Sequence, residues 1–173
     1  PPRSTLFPYT TLFRSIVDRD LQNRAVIAFT WEQYVEELAA TIAAVPGATL
    51  GEIEKGQANE HAINTMGVRL MRMPVWVIGY SFELQNYIIK SPSGTAKTLP
   101  KLTPDIAMAS VDWIYQEYGI QPAAMTFDYL QEMSMPGDYD KREQVAAAAH
   151  VSKEMALRYE SPSILASQAR REV

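Results

Sequence analysis

The chain contains no cysteine. That excludes a disulfide framework, a thiolate zinc site and a cysteine nucleophile from these 173 residues. No apolar run approaches the ~18 residues that a membrane-crossing helix requires. The longest, Pro74 to Ile78, is the size of a strand, so no membrane partner is expected. Positive charge is scarce as well: 16 Lys and Arg stand against 20 Asp and Glu, a formal net charge of -4. Such a balance leaves no electrostatic footprint for nucleic acid or an anionic lipid surface. No segment repeats at the period of about 20–50 residues that marks a solenoid.

What the chain does have is the composition of a globular protein, 47% hydrophobic and 21% charged residues. Its beginning is of a different kind. Thr5-Leu-Phe-Pro-Tyr-Thr-Thr-Leu-Phe-Arg-Ser15 resembles, residue for residue, the translation of an adapter used in short-read DNA libraries, and Arg3-Ser4-Thr5 repeats the join of two adapters in tandem. On that resemblance residues 1–15 are not native, and fold reasoning starts near Ile16. Setting Arg3 and Arg14 aside leaves 14 basic and 20 acidic residues, a charge of -6. Residues 16–160 then make a single globular domain, or a fragment of a larger one. Residues 161–173 are expected to be a frayed or truncated tail.

Three helices are well marked. Thr30 and Gln33 have the spacing of a capping box, and Trp31, Tyr34, Val35, Leu38, Ile42 and Val45 form one apolar stripe ended by Pro46-Gly47. Thr103-Pro104-Asp105 combines an N-cap hydroxyl, a proline at N1 and an acid at the positive helix end. The stripe Ala107, Val111, Ile114, Tyr118 carries that helix to Gly119, a C-cap. A long helix is expected from Asp138 to about Glu160, and shorter ones over 57–71 and 128–133. Val75-Trp-Val-Ile78 and Ala123 to Phe127 read as buried strands, Phe82 to Ile89 as strand or helix, and Ser91 to Thr103 as an exposed loop with Pro92, Gly94 and Pro100 as breakers. The expected fold is therefore α+β, predominantly helical, with a small sheet built from strands near 75–78 and 123–127.

Three constellations carry possible chemistry. Val75-Trp-Val-Ile-Gly79-Tyr-Ser81-Phe-Glu83 resembles the nucleophile elbow of α/β-hydrolases, which holds a serine on a strained strand-to-helix turn. That resemblance implies Ser81 as nucleophile, Asp138 or Asp140 as the acid and His150 as the base, although Glu83 replaces the second glycine. Ser91-Pro-Ser-Gly-Thr-Ala-Lys97-Thr98 resembles a Walker A loop, but Ser91 and Ala96 replace its glycines and Leu99-Pro100 blocks the helix that would follow. His150 and Glu154 share a helix face at i, i+4, and Glu60-His61 forms a second pair, yet neither has the Glu-x-x-His spacing of di-iron sites. No metal or cofactor is expected. Glu32, Glu36, Glu37, Glu52 and Glu54 read as a solvated face.

The stretch Gly79 to Asn86 and the helix-Gly119-x-x-Pro122-strand unit resemble the axial region of tailed-phage major capsid proteins. Membership would imply a shell-forming protein without catalysis, working through self-association or contacts with other subunits, in a virion or the cytoplasm. The resulting expectation is a non-enzymatic structural or assembly protein. Its rivals are a serine hydrolase fragment using Ser81 and a helical protein-interaction module.

Overall fold

A computed structural model describes residues 23–128, 133 and 140–166. The adapter-like segment, Asp138 and most of the helix expected over 128–133 lie outside the described residues, as does the chain beyond residue 166.

The centre of the molecule is a strand, β1 (Arg24–Thr30), in which every residue from Ala25 to Thr30 is buried. Its sequence, Ala-Val-Ile-Ala-Phe, is apolar on both faces, as befits a parallel strand covered by helices on each side. Val26 and Ala28 point into one layer with Val35, Leu38 and Ile42 of α1 (Val35–Ala43). Met66 and Leu70 of α3 (Glu60–Arg72) close that layer, with the short α2 (Leu50–Glu54) between the two helices. Ile27 and Phe29 point the other way, into a second layer with Ala107, Val111 and Ile114 of α4 (Pro104–Tyr118) and Ala148 and Met155 of α5 (Lys141–Arg158).

Around β1 stand β2 (Val75–Ser81), β3 (Asn86–Ser91), β4 (Gly94–Leu99), β5 (Gln121–Asp128) and β6 (Ser163–Leu165). The order across the sheet is β4-β3-β2-β1-β5-β6. β2, β1, β5 and β6 run parallel, whereas β2, β3 and β4 form an antiparallel meander. This is an α/β protein with a six-stranded mixed sheet between two helical layers, not a predominantly helical one with a small sheet.

Both expected strands exist, inside β2 and β5, but four more surround them. Thr30 does not cap a helix: it ends β1, its Oγ accepting from the Gln33 N–H at 3.1 Å and donating to the Gln33 carbonyl at 2.9 Å, and α1 begins five residues later. About half of the expected loop over 91–103 is strand, chiefly β4, whose Gly, Thr and Lys content reflects an outer strand with mostly solvent-facing side chains. The α4 boundaries agree with the sequence reading. Thr103 Oγ1 accepts from the Ile106 N–H at 3.4 Å, and Gly119 closes the helix at φ 67°, its N–H bonded to the Tyr115 carbonyl at 2.9 Å. Asp140 caps α5 through a capping box with Glu143.

Candidate functional site

In an open α/β sheet, ligands and partners are met beyond the carboxyl ends of the parallel strands, above all where successive crossovers leave a strand toward opposite sides. Here that place lies beyond β1. The chain leaves β1 through α1–α3 for β2 on one side, and returns through α4 to β5 on the other. The edge is therefore built from Thr30 and Trp31, Ser81 and its turn, and Asp128.

On the β5 side, Phe29, Trp31 and Phe127 stack nearly parallel, with centroids 5.0 Å apart for Phe29–Phe127 and 6.1 Å for Phe29–Trp31. The Trp31 backbone N–H donates to the Asp128 carbonyl at 3.0 Å and its indole N–H to the Leu102 carbonyl at 3.1 Å. The Asp128 side chain is half-buried beside this stack, and burial pushes its carboxyl above the usual aspartate range.

On the β2 side, Gly79 lets β1 and β2 approach. A Cβ at that position would lie 2.6 Å from Thr30 Cγ2 and 2.7 Å from the Thr30 carbonyl oxygen. Two residues on, buried Ser81 donates its hydroxyl to Glu36 Oε1 on α1 and accepts from the Leu84 N–H at 3.1 Å. Glu36 Oε2 accepts from the Phe82 N–H at 3.2 Å. One carboxylate thus pins the corner between β2 and β3. Around the corner stand aromatic rings: Tyr34 and Phe82 with centroids 5.3 Å apart, Tyr34 and Tyr80 at 6.3 Å, and Tyr80 and Tyr87 at 5.3 Å. Phe82 is 61% exposed, Leu84 50% and Tyr34 39%. A shallow cavity of about 290 Å³ opens here, lined by Tyr34, Glu36, Glu37, Phe82 and Glu83.

The structure does not assemble the hydrolase residues. The Ser81 hydroxyl is buried toward α1, on one face of the sheet. His150 lies on α5, which packs on the other face; its side chain is 70% exposed, with Nδ1 3.8 Å from Glu154 Oε1. Asp140 Oδ1 accepts the N–H groups of Arg142 at 2.7 Å and Glu143 at 2.9 Å, which makes it a helix cap. Ser81 leads into a tight turn and an antiparallel strand, with no helix after it. The Walker-like stretch is the β3–β4 hairpin: Ser91 Oγ donates to the Gly94 carbonyl at 3.0 Å, and the Lys97 ammonium sits 4.7 Å over the Trp113 ring. His61 is exposed in the first turn of α3. Among the described residues no three His, Cys, Asp or Glu side chains gather as metal ligands, and no helix is long and apolar enough to cross a membrane.

Glu36, Glu37, Glu83 and Asp128 were not legible as site residues. An acid ending a buried β-run was the available signal for Asp128; the Glu36–Ser81 pair spans 45 residues and leaves no local trace. At the opposite end of the sheet a wider depression of about 490 Å³ is lined by Arg24, Asp112, Arg158 and Tyr159 among others. The polar groups of Arg24, Asp112, Arg158 and Tyr159 are bonded internally: Arg158 to Asp112 at 2.7 Å, the Tyr159 hydroxyl to Asp112 and the Met108 carbonyl, and Arg24 to the Pro122 carbonyl. Compared with known proteins, the chain matches no family model and no curated protein.

Proposed function

We propose that this chain is a non-catalytic assembly protein that binds further copies of itself through the aromatic corner at the carboxyl edge of its sheet. The observation that carries the reading is the exposure of Phe82, Leu84 and Tyr34 together on a corner that is itself held firmly. Ser81 and Glu36 fix the backbone there, so little conformational freedom is lost on docking. Large apolar side chains grouped at one place on a surface mark contact sites, whereas scattered ones do not. The one serine with an elbow-like sequence is committed to that scaffold, which weighs against hydrolysis. The capsid-like form of the reading rests on the Gly119–Pro122 unit, which here joins α4 to β5.

Sedimentation velocity across a wide range of protein concentration tests the proposal. Dimers or larger species are expected to accumulate with concentration, and Phe82→Asp, at an exposed position, is expected to return the protein to monomer without lowering its unfolding midpoint. A wild-type protein that stays monomeric throughout would refute self-assembly.

A further inference from the structure

The Tyr34–Phe82 cavity has a chemistry more specific than an apolar patch, and we infer that it receives an arginine side chain from the docking partner. The inference rests on the docking reading and names what the corner recognises. Of the five lining residues, two present aromatic rings and three present carboxylates, and none is a lysine or arginine. The rings are tilted at 53° with centroids 5.3 Å apart, so they do not cover each other face to face, and Phe82 is the more exposed of the two. Ring faces carry negative potential and attract cations, and the neighbouring carboxylates of Glu36, Glu37 and Glu83 add to it.

The geometry favours a planar guanidinium over a compact ammonium. A guanidinium stacks on an aromatic face while its edge donates to carboxylates, and it sheds water more readily. Glu36 is oriented for this role beforehand. Ser81 Oγ and the Phe82 N–H occupy one acceptor position on each oxygen, and a carboxylate offers about four. The volume, about 290 Å³, suits one long side chain and falls at or below the range of about 300–1,000 Å³ typical of small-molecule pockets. The attraction is local to the carboxylates of Glu36, Glu37 and Glu83, and salt weakens it.

The test uses the intact protein and two short peptides, acetyl-Gly-Arg-Gly-amide and its citrulline counterpart, which has nearly the same shape without the charge. Binding is followed by NMR shifts of the Phe82, Glu83 and Leu84 amides. Saturable shifts with millimolar affinity are expected for the arginine peptide, and binding at least about tenfold weaker for the citrulline peptide. Phe82→Ala is expected to weaken the arginine peptide about 3- to 30-fold. Glu83→Gln is expected to weaken it less and to flatten its salt dependence. Both positions are exposed, and an unchanged unfolding midpoint shows that each variant is folded. Equal binding of the two peptides, no saturable shift up to about 50 mM, or a Phe82→Ala variant that binds like wild type overturns the inference. A protein that self-associates but ignores the arginine peptide loses this inference and keeps the docking reading. One that takes the peptide selectively but never self-associates keeps the inference and loses self-assembly.

Discussion

Gly79→Ala is the smallest substitution that tests how closely β1 and β2 must approach for this corner to exist. The added methyl would stand 2.6 Å from Thr30 Cγ2, 2.7 Å from the Thr30 carbonyl oxygen and 3.2 Å from Val35 Cγ1. None of these neighbours yields easily. Thr30 is fully buried, its hydroxyl holds both backbone groups of Gln33, and the next N–H, on Trp31, is bonded to Asp128. Overpacking of this kind costs about 1–3 kcal/mol. Displacing the end of β1 weakens at least one of those hydrogen bonds, at roughly 0.5–1.5 kcal/mol each. Against this, alanine restricts the unfolded chain by about 0.4–1 kcal/mol. The net loss is about 1–3 kcal/mol, or roughly 2–12 °C in Tm for a chain of this size. Urea unfolding followed by tryptophan fluorescence measures it. Gly67→Ala provides the control, since Gly67 lies within α3 with nothing inside 4 Å of its added Cβ, and the same change there should stabilise by about 0.5–1 kcal/mol. A partial recovery in Thr30→Ser/Gly79→Ala is expected, because the methyl clash goes and the carbonyl clash stays. If Gly79→Ala and Gly67→Ala move stability in the same direction by the same amount, the close-approach argument is wrong.

Asp128→Asn should raise stability at neutral pH. Because burial raises the Asp128 carboxyl pKa, the folded protein keeps that proton at pH values where the unfolded chain has lost it; stability then falls as pH rises through this window, and the penalty persists above it. The variant should therefore gain in urea midpoint at pH 7 and match wild type below about pH 3.5. A difference that ignores pH would exclude burial of the charge as the cause. Glu36→Ala leaves the buried Ser81 hydroxyl and the Phe82 N–H without their acceptor and should cost about 1–3 kcal/mol, whereas Glu36→Gln keeps an acceptor oxygen and should cost less than half of that. Equal unfolding midpoints for the two variants would show that the carboxylate does not hold the corner.

Two capped helices, α4 and α5, were legible from their ends, whereas α2 went unread although Thr49 and Glu52 form a complete capping box at its start. Thr103-Pro104 and Gly119 bracket α4 as read, and Asp140 starts α5 two residues from its expected beginning. The extended Ala123–Phe127 segment after Pro122 was legible too, because proline and the apolar run agree. What escaped was extended structure with no alternation. β1 is apolar on both faces, so it carries no period of two, and the capping-box spacing of Thr30 and Gln33 drew attention to the residues after it. β4 failed for the opposite reason: an outer strand with polar, small residues has the composition of a loop, and only its pairing with β3 distinguishes it. Fold class followed from these two omissions. Adding a central strand and a hairpin turns a helical protein with a small sheet into a wound α/β protein.

The elbow-like stretch depends on distant contacts in the same way, at shorter range. Gly79, Ser81 and Glu83 have the spacing of a catalytic elbow, but each answers to a contact made elsewhere in the sequence. Gly79 makes room for Thr30, Ser81 ties the turn to Glu36 on α1, and Glu83 lines the cavity beneath Phe82. An elbow needs a helix after its serine, so that backbone N–H groups converge on an oxyanion. Here the chain reverses within four residues into antiparallel β3, and the N–H groups of Phe82 and Leu84 are already bonded to Glu36 and Ser81. The replacement of glycine by Glu83 is then consistent with the rest of the corner: a carboxylate hostile to a developing oxyanion is suited to a surface that receives a cation. Spacing alone admits both outcomes, and the strand that follows decides between them.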